Sequence, residues 1–219
     1  MSAQVSAGLV LIVALSFTFS GVAADDFNPP PWRTTPPGLN GTTHQVWDFS
    51  TNASPVVANI NNNPFGAPMA AAVGSFPKTR WINSDHGHQG VWKIEPDVNQ
   101  PAYLELTIPN TPAPFPYKEV RVQMTFSAAN GLLPLTTLIP APVAAPTSVA
   151  FQQLDQYYYY ASFEYTLAPS VNAEELRFSP ADCTVYIDSV IVDTRVVPEP
   201  ASCLVLLVPV AMFGMSRRY

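Results

Sequence analysis

The chain has 219 residues, of which 12% are charged and 24 are prolines, about half and about double the usual shares. Between 25 and 198 it carries 8 basic and 15 acidic residues, a net charge of −7, with no basic run. That balance excludes an electrostatic footprint for nucleic acid or anionic lipid and leaves a surface built from Asn, Thr, Ser, Gln and Pro.

Residues 1–24, MSAQVSAGLVLIVALSFTFSGVAA, have an apolar centre from Gly8 to Phe19, with Val22 and Ala24 at the positions a signal peptidase reads. They are expected to form a secretory signal peptide, cleaved before Asp25. The segment has no Lys or Arg, so the amino terminus alone supplies its positive charge. A buried helix of the folded body is the weaker reading, because the run is not amphipathic. Residues 25–42 hold five prolines in DDFNPPPWRTTPPGLN and no periodicity, which predicts an extended arm or linker.

From 43 to 197 period-two alternation dominates. KEVRVQMTF (118–126) places Val120, Val122, Met124 and Phe126 on one face, opposite Glu119, Arg121, Gln123 and Thr125. AYLELTI has the same period, as does QYYYYASFEYTL, with Tyr157, Tyr159, Ala161, Phe163, Tyr165 and Leu167 on one face. ELRF and CTVYIDSVIVDTRVV predict two more strands, the second long enough to be central. HQVWDFS and GVWKIE offer Trp47 and Trp92 to the core. No convincing helical stripe occurs in this body, and the stretch from Pro134 to Pro146 reads as a surface loop or an edge excursion. The expectation is an all-β fold, an antiparallel β-sandwich of jelly-roll type, with a helix at each end of the chain.

The C-terminus combines Val197-Pro198-Glu199-Pro200, an apolar run at 201–215, and Arg217 and Arg218. As a helix the run would be about 23 Å long, short of the hydrocarbon core but helped by arginines that reach the headgroups and stop transfer. Under the positive-inside rule the body then lies outside the cytoplasm. Pro209 inside the run is tolerable in a membrane helix and costly in a soluble one. The two prolines around Glu199 deny helix and sheet, leaving an accessible peptide.

This order of elements resembles the PEP-CTERM sorting signal of exported bacterial proteins. The resemblance implies that Pro198, Glu199 and Pro200 are the motif recognised by an exosortase-like processing enzyme in the inner membrane. It covers residues 198–219 and implies destination rather than activity. The body, from about Thr43 to Val197, resembles more weakly the jelly-roll, carbohydrate-binding-module-like bodies of planctomycete-type proteins with such tails. The implied location is a membrane-anchored precursor with its body outside, then the cell surface or extracellular matrix.

Few residues in the body suggest chemistry. SDHGHQG groups Asp85, His86 and His88, types that bind zinc, but His44 is the only other histidine and four ligands close such a site. Loop decoration is the plainer reading. Asp188 could help hold a structural calcium or make local hydrogen bonds; otherwise no cofactor is expected. On a regular strand Asp188 and Asp193 would face opposite sides, which disfavours a paired-carboxylate glycosidase site. Alternation puts Tyr158 and Tyr160 on the face opposite Phe163, where they would either stack on a sugar or be covered as core. Cys183 and Cys203 cannot make a disulfide framework, and Cys183 reads as a small buried hydrophobe. No hydrolase elbow, phosphate loop, dinucleotide fingerprint or zinc-protease motif occurs, so no enzymatic activity is expected. The sequence thus points first to a non-enzymatic surface or matrix protein. A carbohydrate-binding module on extracellular polysaccharide is the alternative, and a metal-dependent hydrolase is the least supported.

Overall fold

The computed structural model describes residues 26–112, 115–168 and 172–197. The expected signal peptide, the Pro198-Glu199-Pro200 motif, the apolar run and Arg217 and Arg218 lie outside the described residues. Within them, no helix is long and apolar enough to cross a membrane.

The described residues are mostly strand. In chain order the strands are β1 (Thr43–Trp47), β2 (Val56–Val57), β3 (Ile60–Asn62), β4 (Met69–Val73), β5 (Thr79–Asp85), β6 (His88–Ile94) and β7 (Tyr103–Pro109). There follow β8 (Tyr117–Ala128), β9 (Leu135–Ile139), β10 (Thr147–Gln153), β11 (Tyr158–Leu167), β12 (Ala173–Ser179) and β13 (Val185–Val197). They form two antiparallel sheets. The larger runs β10-β11-β8-β13-β1-β3, with β6 added beside the start of β13 and β5 beside β6; the smaller runs β2-β4-β7-β12-β9.

The two sheets meet as alternation requires. Val122, Met124 and Phe126 of β8 and Val190 and Val192 of β13 share one core with Leu104, Leu106 and Ile108 of β7 and Leu176 and Phe178 of β12. Each large apolar side chain so buried contributes about 1.5–3 kcal/mol. Trp47 and Trp92 join this core as expected. The all-β, two-sheet arrangement therefore follows the sequence pattern, and β13 is central, hydrogen-bonded to β8 along its length and to β1 and β6 on its other side. β9 is an edge strand of the smaller sheet, so the Pro/Ala stretch is an edge excursion over Leu135–Ile139.

Two expectations need correcting. The arm at 25–42 is not a free extended linker from Asp26 onward: it makes short 3-10 turns at Pro31–Thr34 and Leu39–Gly41 and lies over the outer face of the larger sheet. Gln123 donates to Asp26 Oδ1 at 3.1 Å and accepts the Asn28 N–H at 3.2 Å, and the Phe27 ring meets Tyr160 edge-on at 5.2 Å. Trp32 packs under the guanidinium groups of Arg195 at 4.2 Å and Arg121 at 5.7 Å. The polar outer side chains of β8 and β13 demand partners once covered, and the arm supplies them. Second, β13 is not regular at Asp188. A register shift between Ile187 and Ser189 inserts one residue. Alternation then puts Asp188 and Asp193 on the same outer face rather than on opposite ones.

Candidate functional site

The outer face of the larger sheet gathers most of the residues that the sequence singled out. β5 and β6 form a hairpin whose two-residue turn is His86-Gly87, with φ of 47° and 97°. Such a primed turn matches the twist of the flanking strands, and glycine takes the second left-handed position without strain. The turn holds Asp85 and His88 as a facing pair at the tip, beside the turn that enters β11.

There His88 sits between two carboxylates. Its Nδ1 is 3.0 Å from Asp188 Oδ2 and its Nε2 is 3.5 Å from Asp155 Oδ2. Its ring stacks on Tyr158, with centroids 3.6 Å apart and planes 19° apart. The Tyr158 hydroxyl donates to Asp85 Oδ2 at 3.0 Å, an oxygen that also lies 3.0 Å from His86 Nδ1. His86 in turn stacks on Tyr157 at 3.7 Å. Asp155 accepts the backbone N–H groups of Tyr157 and Tyr158, both at 2.7 Å. Burial by itself would raise the Asp155 carboxyl, but these N–H groups and His88 outweigh it and hold the group below its ordinary value. Burial pushes the Tyr158 hydroxyl well above its ordinary range, with the neighbouring Asp85 carboxylate adding to the effect.

The bulge that turned Asp188 outward makes this cluster possible, uniting the two metal-binding candidates at one place. Their geometry is not that of a metal centre. Among the described residues no three His, Cys, Asp or Glu side chains are arranged to hold a metal ion. His86 turns to Tyr157, His88 bridges two separate carboxylates, and Asp188 is engaged by His88. When protonated, His88 donates from both ring nitrogens and ties the β5–β6 hairpin to β13 and to the turn before β11.

Tyr158 and Tyr160 do not present stacking surfaces. Their exposures are 0% and 1%. His88 covers the first, while Phe27 covers the second, whose hydroxyl donates to Gln123 Oε1 at 2.5 Å. The exposed aromatic residues nearby are Tyr157 and Phe151, 42% and 50% exposed. Phe151 stacks on Tyr159 and borders an open, mostly apolar hollow of about 630 Å³ with Leu132, Leu133 and Cys183. Cys183 is half-buried there, not a core residue.

A second charged cluster, missed in the sequence, anchors the arm. Asp193, 1% exposed, receives Arg33 on both carboxylate oxygens, and His44 Nδ1 lies 2.9 Å from its Oδ1. Arg33 also pairs with Asp26. Nothing in the local sequence marks a contact between residues 160 positions apart.

Comparison with protein-family models, curated proteins and solved structures finds no match for this chain.

Proposed function

We propose that this is an exported, non-enzymatic cell-surface or extracellular-matrix protein whose body is a jelly-roll-type β-sandwich and whose C-terminal PEP-CTERM signal directs sorting and processing. The observation that carries the reading is the continuity of β13 with the tail: this central strand ends at Val197, immediately before Pro198-Glu199-Pro200. A body ending in its central strand would stand close to the membrane until an exosortase-like enzyme acts at the motif. On this reading residues 1–24 direct export, the run at 201–215 holds the precursor in the inner membrane, and Arg217 and Arg218 stop its transfer.

The test is fractionation and intact mass of the protein from its native host, wild type against Glu199→Ala. Sorting predicts a wild type trimmed at both ends and free of the inner membrane, with the variant long and membrane-bound. Two proteins that both keep their tails in the membrane would refute processing and leave a plain anchor.

One observation favours a second reading, a polysaccharide-binding body: the half-exposed Phe151 ring beside an apolar hollow offers a sugar-stacking surface. Specific glycan-array binding lost in Phe151→Ala would support it over a purely structural body.

A further inference from the structure

At one end of the sandwich the core contains an ionisable pair. Lys118, the second residue of β8, is 1% exposed, and Glu174 of β12 is 0% exposed. The Lys118 Nζ is 2.6 Å from Glu174 Oε1 and in direct contact with the Asn110 side-chain oxygen. Asn110 is 6% exposed and lies close enough to the Glu174 carboxyl to favour its charged form, while both Glu174 oxygens lack a well-formed hydrogen bond. Its backbone is fixed by donating to the Asn172 carbonyl at 2.8 Å. Strand neighbours in register here, Leu167 and Val196 beside Lys118 and Ile108 beside Glu174, are almost wholly buried.

An ammonium and a carboxylate brought into such a place lose solvation worth several kcal/mol each. Loss of solvation lowers the Lys118 amine and raises the Glu174 carboxyl, each against the pull of its partner. Both shifts favour a neutral amine beside a neutral acid. A neutral amine is a nucleophile, and here it touches a primary carboxamide in a dry site. The reacting groups come from one chain and are held by opposite sheets, so no entropy is lost in bringing them together.

We propose that Lys118 and Asn110 form an intramolecular isopeptide bond, with Glu174 as the proton relay. The Lys118 Nζ attacks the Asn110 side-chain carbonyl carbon while Glu174 donates a proton toward the carbonyl oxygen. The resulting carboxylate takes a proton from Nζ and passes it to the Asn110 side-chain nitrogen. The carbon–nitrogen bond of the primary amide breaks, ammonia leaves, and Glu174 regains its proton. A primary amine and a primary amide become one secondary amide and ammonia, with no oxidant or other reactant. The bond joins β8 of the larger sheet to the end of β7 of the smaller.

The experiment is a tryptic digest of the folded, purified full chain, read by tandem mass spectrometry. An unmodified chain is cut after Lys93 and Lys118 and gives a peptide from Ile94 to Lys118. The proposal expects no cleavage at Lys118, and a peptide from Ile94 to Arg121 lighter by one ammonia, about 17 Da, with fragment gaps between Asn110 and Lys118. Cleavage at Lys118 with an unmodified Asn110 overturns the proposal. So does the same mass loss with Lys118 still cleaved, which marks a succinimide at Asn110. Glu174→Gln, folded by circular dichroism, should recover the cleavable peptide; a cross-link that persists in it overturns the relay role. If that variant does not fold, the wild-type digest alone decides.

Discussion

Asp193→Ala removes the carboxylate that fastens the N-terminal arm to the central strand. Arg33 donates to Asp193 Oδ1 through Nε at 2.9 Å and engages Oδ2 through a second nitrogen, and His44 approaches the same carboxylate at 2.9 Å. Breaking a buried ion pair by deleting one partner costs about 3–5 kcal/mol. Arg33 keeps Asp26 and is 18% exposed, so the lower end applies, about 3 kcal/mol. At about 2–4 °C per kcal/mol for a body of this size, the Tm should fall by about 6–12 °C. Part of the loss is local, because the arm can lift while the sandwich stays folded. Limited trypsin digestion reads that part directly. Cleavage after Arg33 should be slow in the wild type and fast in Asp193→Ala, with Asp193→Asn between them because it keeps acceptor geometry and loses charge. An Asp193→Ala protein with unchanged Tm and unchanged cleavage at Arg33 would refute the arm as a clasped cover.

Other expectations follow from single contacts. Tyr158→Phe removes the hydroxyl that donates to Asp85 while keeping the ring under His88, and should cost about 1.5–3 kcal/mol in urea denaturation. Gly90→Ala puts a methyl group 2.3 Å from the Phe49 carbonyl oxygen at a φ of +73°, and should lower stability by more than the roughly 1–2 kcal/mol of left-handed strain alone. Burial pushes the Tyr165 hydroxyl up to about 12 against an ordinary 10.0, and raises those of Tyr158 and Tyr160 as well. A raised folded-state value means that these groups stabilise the fold fully below about pH 10, a contribution that declines as pH rises above it and, for Tyr165, is lost as pH rises through about 12. Phenolate absorbance and circular dichroism should therefore show these tyrosines ionising together with alkaline unfolding, not before it.

The long strands were legible because one side chain in two points an apolar group into the core between the sheets. β7, β8, β11 and β12 follow the alternation read from the sequence, as does β13 on each side of its bulge, and the same parity places Lys118 with Val120 and Glu174 with Leu176 on the core side. Both charged residues could have been noticed by extending each alternation by two residues. The short strands were not legible: β4 is MAAAV, where small side chains carry no periodic contrast, and β5 is half exposed. The bulge at Asp188 escaped because an inserted residue leaves the composition of the strand unchanged while reversing its faces. For Tyr158 and Tyr160 the sequence left exposed and covered readings open, and the structure has them covered. Their strand face was read correctly, but what covers it is the arm and the β5–β6 hairpin, and those contacts span up to 133 positions in sequence, from Phe27 to Tyr160.

The position of β13 bears on the order in which the molecule can assemble. β1 and β6 each pair with it, and β8 pairs along its whole length, so its 13 residues are the spine on which the larger sheet closes. Synthesis delivers that spine after every other described strand. A chain threaded through a pore from its N-terminus would hold β1, β6 and β8 apart on the far side until the spine emerged. The sheet would then close around the segment leading straight into Pro198-Glu199-Pro200, so on the proposed reading completion of the fold and arrival of that motif become nearly simultaneous events.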